Sequence, residues 1–238
     1  MKVEIWSDVA CPWCYVGKRR FEAALSQFPH RNAVEVEWKS FELDPGAEPA
    51  PVAAGEYADR LARKYGTSRE GAQGMLDQMT GVAAVEGLDF HFETAQAVNT
   101  FDAHRVLHLA AARGVQDALK ERLLREYFTE GEQVSDVAVL VRLATEAGLD
   151  PEEVGEVLAS DRYADAVRRD EAEAASLGIT GVPFFVVDRK YGVSGAQPTE
   201  LFAEVLERAW VEGNPLTLVG AGTEGGDGVA CGPDGCVV

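Results

Sequence analysis

The sequence predicts an α/β fold: a four-stranded mixed sheet with helices on both faces, interrupted by a large all-helical insertion. Three observations carry this. A strand–helix–strand pattern fills roughly the first forty residues. Strand-like alternation then disappears from about 45 to 178 and helical periodicity replaces it. Finally, two short β-rich runs and an amphipathic helix follow between about 184 and 212. The order is βαβ, a helical block, then ββα.

Each element has its own local reason. Val3-Glu4-Ile5-Trp6-Ser7 alternates as a half-buried strand does, and Phe21, Ala24, Leu25 and Phe28 recur at helical spacing after it. Pro-His-Arg-Asn at 29–32 breaks that helix. Val34, Val36 and Trp38 then alternate with Glu35, Glu37 and Lys39 in a second strand ending near Leu43, which closes a right-handed βαβ unit. Pro45, Pro49 and Pro51 mark a connecting loop. Helices follow at about 55–65 and 68–86, the second weakened by Gly71, Gly74 and Gly81. Asn99 or Thr100 caps a helix that starts at Phe101, Leu119, Leu123 and Tyr127 mark another, and Ser135 opens the next, which stops at Gly148. Asp150-Pro151-Glu152-Glu153 is a cap, a first-position proline and an acid at the third position. An alanine-rich helix at about 162–177 closes the block. Phe184–Val187 and Tyr191–Ser194 read as a hairpin, and Pro198 starts a helix with Leu201, Phe202, Val205, Leu206, Ala209 and Trp210 on one face. Beyond Gly213 the glycine-rich chain reads as a flexible tail. The expected division is one discontinuous domain (1–44 and 179–212), a helical insertion domain (45–178) and a tail (213–238).

Composition narrows the function. Forty acidic against twenty-two basic residues give a net charge of −18, a surface that repels nucleic acid and anionic lipid. No apolar run approaches the roughly 18 residues of a membrane span. The chain opens on a charged strand rather than the basic and apolar regions of a secretory signal, so a cytoplasmic location is expected. The four cysteines form two close pairs, which in a reducing compartment points to redox or metal chemistry rather than a disulfide framework. Nothing in the sequence sets the oligomeric state.

The first pair, Cys11-Pro12-Trp13-Cys14, falls at the first strand-to-helix junction. Pro12 fits the first helical position, which puts Cys11 at the N-cap, facing unpaired N–H groups and the positive end of the helix dipole. Both favour thiolate, and cysteines so placed titrate at roughly 3.5–7.5. Cys11 is the expected nucleophile and Cys14 the resolving thiol. A zinc knuckle or a pair of buried structural thiols are the alternatives. Far downstream, Ile179-Thr180-Gly181-Val182-Pro183-Phe184-Phe185 sets a proline at the start of a strand. A trans proline that merely starts the strand is one reading. The other is a cis Val182–Pro183 bond that exposes the Val182 backbone beside the thiols.

Cys11-Pro12-Trp13-Cys14-Tyr15-Val16-Gly17 together with Gly181-Val182-Pro183-Phe184-Phe185 resembles the DsbA-like thioredoxin superfamily, and within it the cytoplasmic FrnE-type proteins. Asn99-Thr100-Phe101-Asp102-Ala103-His104-Arg105 resembles a further stretch of that group, and the likeness spans about 1–212. It implies a thioredoxin fold with a helical insertion and exchange of disulfides with protein or small-molecule disulfides and dithiols. Cys11 and Cys14 carry the reaction, and Pro12, Trp13, Val182 and Pro183 hold substrate. No cofactor is expected beyond the redox-active disulfide, with glutathione as a reductant, and no metal. Glutathione-dependent relatives, the kappa-class transferases and 2-hydroxychromene-2-carboxylate isomerases, usually have serine where this chain has Cys11. Their chemistry is the rival enzyme reading, and a zinc-stabilised protein using all four cysteines is the non-enzyme rival. His104 reads either as an ordinary helix-face histidine or as a proton shuttle that stabilises the Cys11 thiolate. Asp8 reads either as a negative charge that opposes thiolate formation or simply as the strand's end. Cys231 and Cys236, on a Gly-Pro-Asp-Gly turn, read either as an incidental exposed pair or as an auxiliary redox pair exchanging with Cys11–Cys14.

Overall fold

The computed structural model describes residues 1–47 and 56–214. The elements are β1 (Lys2–Ser7), α1 (Pro12–Gln27), β2 (Glu35–Ser40), α2 (Tyr57–Tyr65), α3 (Arg69–Val85), α4 (Phe101–Ala112), α5 (Gln116–Arg125), α6 (Val137–Glu146), α7 (Pro151–Leu158), α8 (Ala164–Ser176), β3 (Phe184–Val187), β4 (Tyr191–Ser194) and α9 (Thr199–Gly213). The sheet runs β2-β1-β3-β4, with β1 parallel to β2 and antiparallel to β3, and β3 antiparallel to β4. Ile5 at its centre is in register with both Trp38 and Phe185.

The strand alternation sorts side chains between two faces. Val3 and Ile5 join Phe185, Val187 and Val193 on the face covered by α1 and α9. There the rings of Phe21, Phe185 and Phe202 meet at centroid separations of 4.6–5.8 Å. Truncating one such buried ring costs about 3–5 kcal/mol. Trp6 and Val186 point to the other face, against Ala174 of α8 and Ile179. A larger core fills the helical block, and it takes in Tyr15 and Val16 of α1. Tyr15 stacks on Phe90 at 5.9 Å, so α1 is shared between the sheet's core and the block's.

Hydrogen bonds fix the block to the sheet edge. The Gln116 side chain accepts from the Trp38 N–H at 3.0 Å and donates to the Trp38 carbonyl at 2.8 Å, as a neighbouring strand would. The Trp38 indole donates to Asp117 at 2.9 Å, and the Trp6 indole donates to the Asp170 carbonyl at 2.9 Å.

Several boundaries differ from the sequence expectation for identifiable reasons. β2 stops at Ser40 rather than near Leu43, because side chains take over the ladder's role. The Ser40 N–H donates to Asp170 at 2.9 Å and the Leu43 N–H to Asp8 at 2.7 Å. α3 is one unbroken helix despite its glycines: Ser68 caps it, and Ala72, Leu76, Met79 and Ala83 bury one stripe. Tertiary burial outweighs the propensity cost. Asp136, not Ser135, caps α6, accepting from the N–H groups of Ala138 and Val139. Thr100 stands at the cap of α4 but makes no cap bond; the Asn99 side chain instead accepts from the Phe101 N–H at 2.9 Å. Pro198 starts α9 as expected, standing at its N-cap. Pro49, Pro51 and the Cys231–Cys236 pair lie outside the described residues.

Candidate active site

The site forms where β1 hands over to α1. Cys11 is the N-cap of α1, in extended backbone, and Pro12 occupies the first turn. The Cys14 N–H donates to the Cys11 carbonyl at 3.0 Å. Both cysteines are free thiols and both are buried. The Val182–Pro183 loop lies across them: the peptide is cis, and the Cys11 thiol donates to the Val182 carbonyl at 3.5 Å. The sequence-distant proline loop and the thiols are thus in direct contact. Gly17 shows how close the packing is. A Cβ there would stand 3.0 Å from Pro183 Cγ and 3.4 Å from Phe185 Cζ, so α1 reaches the proline loop only with no side chain at this position.

An apolar groove of about 360 Å³ runs past the thiols, lined by Cys11, Trp13, Leu43, Tyr57, Met79 and Val182 among others. Trp13 is 45% exposed on its rim, beside exposed Tyr65 and Met75. A smaller recess of about 80 Å³ adjoins it, where Asp8, Tyr57, Arg60, Lys64 and Thr100 meet a largely apolar lining. Burial pushes the Tyr57 phenol up to about 12, so it is a hydrogen-bond donor at neutral pH.

Beneath the thiols lies a buried polar cluster. Asp8 receives N–H groups from Leu43 at 2.7 Å and Ala10 at 3.3 Å, and meets His104 Nε2 at 3.4 Å. Burial acts to raise the Asp8 pKa, but the hydrogen bond from His104, its charge and the Leu43 N–H outweigh it, so Asp8 stays ionised below the usual carboxylate range. Burial depresses His104 despite Asp8, which leaves the imidazole neutral at pH 7. Lys120, from α5, is also buried here, and Ser7 Oγ is buried with no hydrogen-bond partner.

This cluster redistributes the proton that the sequence puts on Cys14. The hydrogen bond to Cys14, burial and the Cys14 and Asp8 charges together raise Cys11 well above an ordinary thiol. Cys14 moves the other way. Burial acts to raise it, but the Cys11 thiol, the Lys120 charge and the Ser7 hydroxyl favour its thiolate. Within the reduced pair, the thiolate is therefore favoured on Cys14 and the proton on Cys11. The N-cap argument is a local one, and buried side chains from other elements override it here.

The expected residues Cys11, Pro12, Trp13 and Val182 line this groove, and Cys14 and Pro183 adjoin it behind Cys11 and Val182. His104 is not on an ordinary helix face: it is 1% exposed and sits on the floor of the site. Asp8 does follow the end of β1, but it also supplies the carboxylate of that floor. The sequence reading passed over Ser7, Tyr57 and Lys120. Only Lys120 left a signal, as a lysine set among Leu119, Leu123 and Leu124 on the buried side of α5. No group of three or more His, Cys, Asp or Glu gathers as a metal site among the described residues.

Comparison with known proteins bears on the fold that holds these residues. The model of the DSBA-like thioredoxin domain family matches residues 2–207. An uncharacterized protein, YwbO of Bacillus subtilis, is 27% identical over 208 residues, covering 86% of this chain and 94% of its own. The crystal structure of the probable DsbA oxidoreductase SCO1869 from Streptomyces coelicolor is 53% identical. It superposes with a TM-score of 0.85 over 100% of this chain and 99% of that one. The cytosolic disulfide reductase DsbM of Pseudomonas aeruginosa, solved with GSH, shares the fold at 18% identity and a TM-score of 0.62, over 88% of this chain and 99% of its own. With a mixed four-stranded sheet, a large helical block and a family match across most of its length, the chain belongs to the DSBA-like thioredoxin domain family.

Proposed function

We propose that this protein is a thiol–disulfide oxidoreductase that exchanges disulfides with protein or small-molecule substrates through Cys11 and Cys14. The observation that carries this reading is the contact of the Cys11 thiol with the Val182 carbonyl at the mouth of an apolar groove. In the reducing direction, the Cys11 proton passes to the Cys14 thiolate. The Cys11 thiolate then attacks one sulfur of the substrate disulfide, forming a mixed disulfide and releasing one substrate thiolate. That thiolate takes the proton from Cys14. Cys14 attacks the Cys11 sulfur, which forms the Cys11–Cys14 disulfide and releases the second substrate thiolate. Two glutathione molecules restore the dithiol and leave as glutathione disulfide. The same steps in reverse oxidise a substrate dithiol.

Val182 presents backbone beside the reacting sulfur, where an extended substrate strand pairs with it. Trp13, Tyr65 and Met75 supply the apolar contact, and α2 and α3 of the helical block frame the groove and set its selectivity. A cytoplasmic setting goes with this reading, as in the cytosolic DsbM, which shares the fold. No helix among the described residues is long and apolar enough to cross a membrane.

Glutathione-dependent reduction of a cystine peptide, followed by mass, tests the proposal. Catalytic amounts of the protein are expected to speed the reaction well above the uncatalysed rate, with no lag and no added metal. A rate equal to that of the buffer alone contradicts it.

A further inference from the structure

We infer that Lys120, which the helical block contributes through α5, is a positioning residue for the reactive pair: its buried ammonium holds the negative charge of reduced Cys11–Cys14. This rests on the redox reading above and adds a device for setting how oxidising the site is.

Lys120 is a buried charge that lacks the expected partner. Lys120 is 1% exposed, and its Nζ lies 5.6 Å from the Trp38 ring centroid. Among the described residues it makes no hydrogen bond and no ion pair within 4.0 Å. Lysines this deeply buried are almost always paired, because an isolated charge is costly to remove from water. Lys18, equally buried, follows that rule: it meets Glu22, Asp117 at 3.3 Å and Glu121 at 3.1 Å. Lys18 therefore has a structural account and Lys120 does not.

The charged groups around Lys120 supply one. Burial pushes the Lys120 pKa down, and the charges of Cys14, Asp8 and Cys11, in that order, act to keep it protonated, while Lys18 opposes them. Asp8 is already committed to His104 and to the Leu43 and Ala10 N–H groups. His104 is neutral and offers no charge. The uncommitted anion is the thiolate of the pair. A second orphan points to the same sulfur, since the Ser7 hydroxyl is buried without a bonded partner and favours the Cys14 thiolate. Position is not left to chance either. Gln116, one turn before Lys120, is held to both backbone groups of Trp38, which locks α5 against the sheet.

The consequence follows from what oxidation does. Forming the disulfide removes the thiolate and leaves the already shared Asp8 carboxylate as the strongest negative charge facing the Lys120 ammonium. Lys120 thus stabilises the dithiol form over the disulfide and makes the site a stronger oxidant. A nearby opposite charge moves a titration by about 1–3 pH units, so a tenfold effect is the low end.

The test compares Lys120→Met, which keeps the packing, with Lys120→Arg, which keeps the charge. Two quantities are read: the pH dependence of alkylation of the pair, and its equilibrium constant with glutathione. In Lys120→Met, alkylation at pH 7 is expected to fall about tenfold. Its equilibrium is expected to shift about tenfold toward disulfide, about 30 mV, and Lys120→Arg is expected to restore most of both. Wild-type values in the Met variant, or equal shifts in both variants, overturn the inference. If Lys120→Met does not fold, the lysine Cε resonance of the wild type serves. Lys120 is expected to titrate lower in the disulfide form than in the dithiol form, and an unchanged titration overturns the inference. A wild type that never forms a reversible Cys11–Cys14 disulfide defeats the redox reading instead, and the alkylation profile still tests Lys120.

Discussion

Cys11→Ser is expected to reduce disulfide exchange to the uncatalysed level, while Cys14→Ser still attacks substrate but stops at the mixed disulfide. The two thiols are chemically alike and differ in where the fold puts them. Cys11 is at the groove, in contact with Val182, and Cys14 lies one turn deeper in the helix. A serine at 11 stays protonated near neutral pH and cannot replace the thiolate as nucleophile. With serine at 14 the first step survives, but no sulfur is left to expel the substrate. Mass spectrometry of Cys14→Ser incubated with a cystine peptide should show nearly stoichiometric adduct on Cys11, removable by dithiothreitol. Turnover that survives Cys14→Ser would contradict the account, and is what a glutathione-using isomerase or transferase would show.

Asp8→Asn is expected to lower stability by about 2 kcal/mol at pH 7. Asp8 is buried, ionised and held by His104 and two backbone N–H groups. Asparagine keeps the shape and one acceptor but loses the charge. Because the folded-state pKa of Asp8 is depressed, its stabilising contribution is complete above the unfolded value. The contribution is lost as pH falls below about 3.8 towards the folded value. The gap between wild type and variant should therefore be widest near pH 7 and narrow below pH 3.8. His104 adds a loss on acidification at a higher pH. Its folded pKa is also depressed, so protonation costs stability as pH falls below 6.5. Urea titrations across this range check both windows. A gap that does not change with pH would mean that Asp8 acts through shape alone. The same variant should lower the Cys11 pKa, since the Asp8 charge opposes a thiolate there.

Much of the fold was legible because its cues are local. The alternation of Val3 to Ser7, Pro12 behind a would-be cap, the Asp150-Pro151 start and the Phe184–Val187 strand each fix an element within a few residues. Adjacent cap candidates were harder. Ser135 and Asp136 both suit an N-cap, and only the bonds to Ala138 and Val139 decide between them. The site divides the same way. Cys11 and Cys14 are visible as a spacing, but the pair's ionisation is not. It depends on Asp8, His104 and Lys120, which meet only after α4 and α5 pack against the sheet. Asp8 and His104 alone are 96 positions apart. Lys120 stands in the sequence only as a lysine among the leucines of α5, and burial near the charges of Cys14 and Asp8 is what gives it a role.

The most direct measurement equilibrates the protein in graded glutathione buffers and follows Cys11 and Cys14 by alkylation and mass. The account predicts a reversible two-electron transition in which both residues are protected from alkylation together. It also predicts a disulfide-linked peptide containing Cys11 and Cys14, and loss of the transition in either serine variant. Cysteines that stay alkylatable across the whole series, or that form only glutathione adducts, would contradict it.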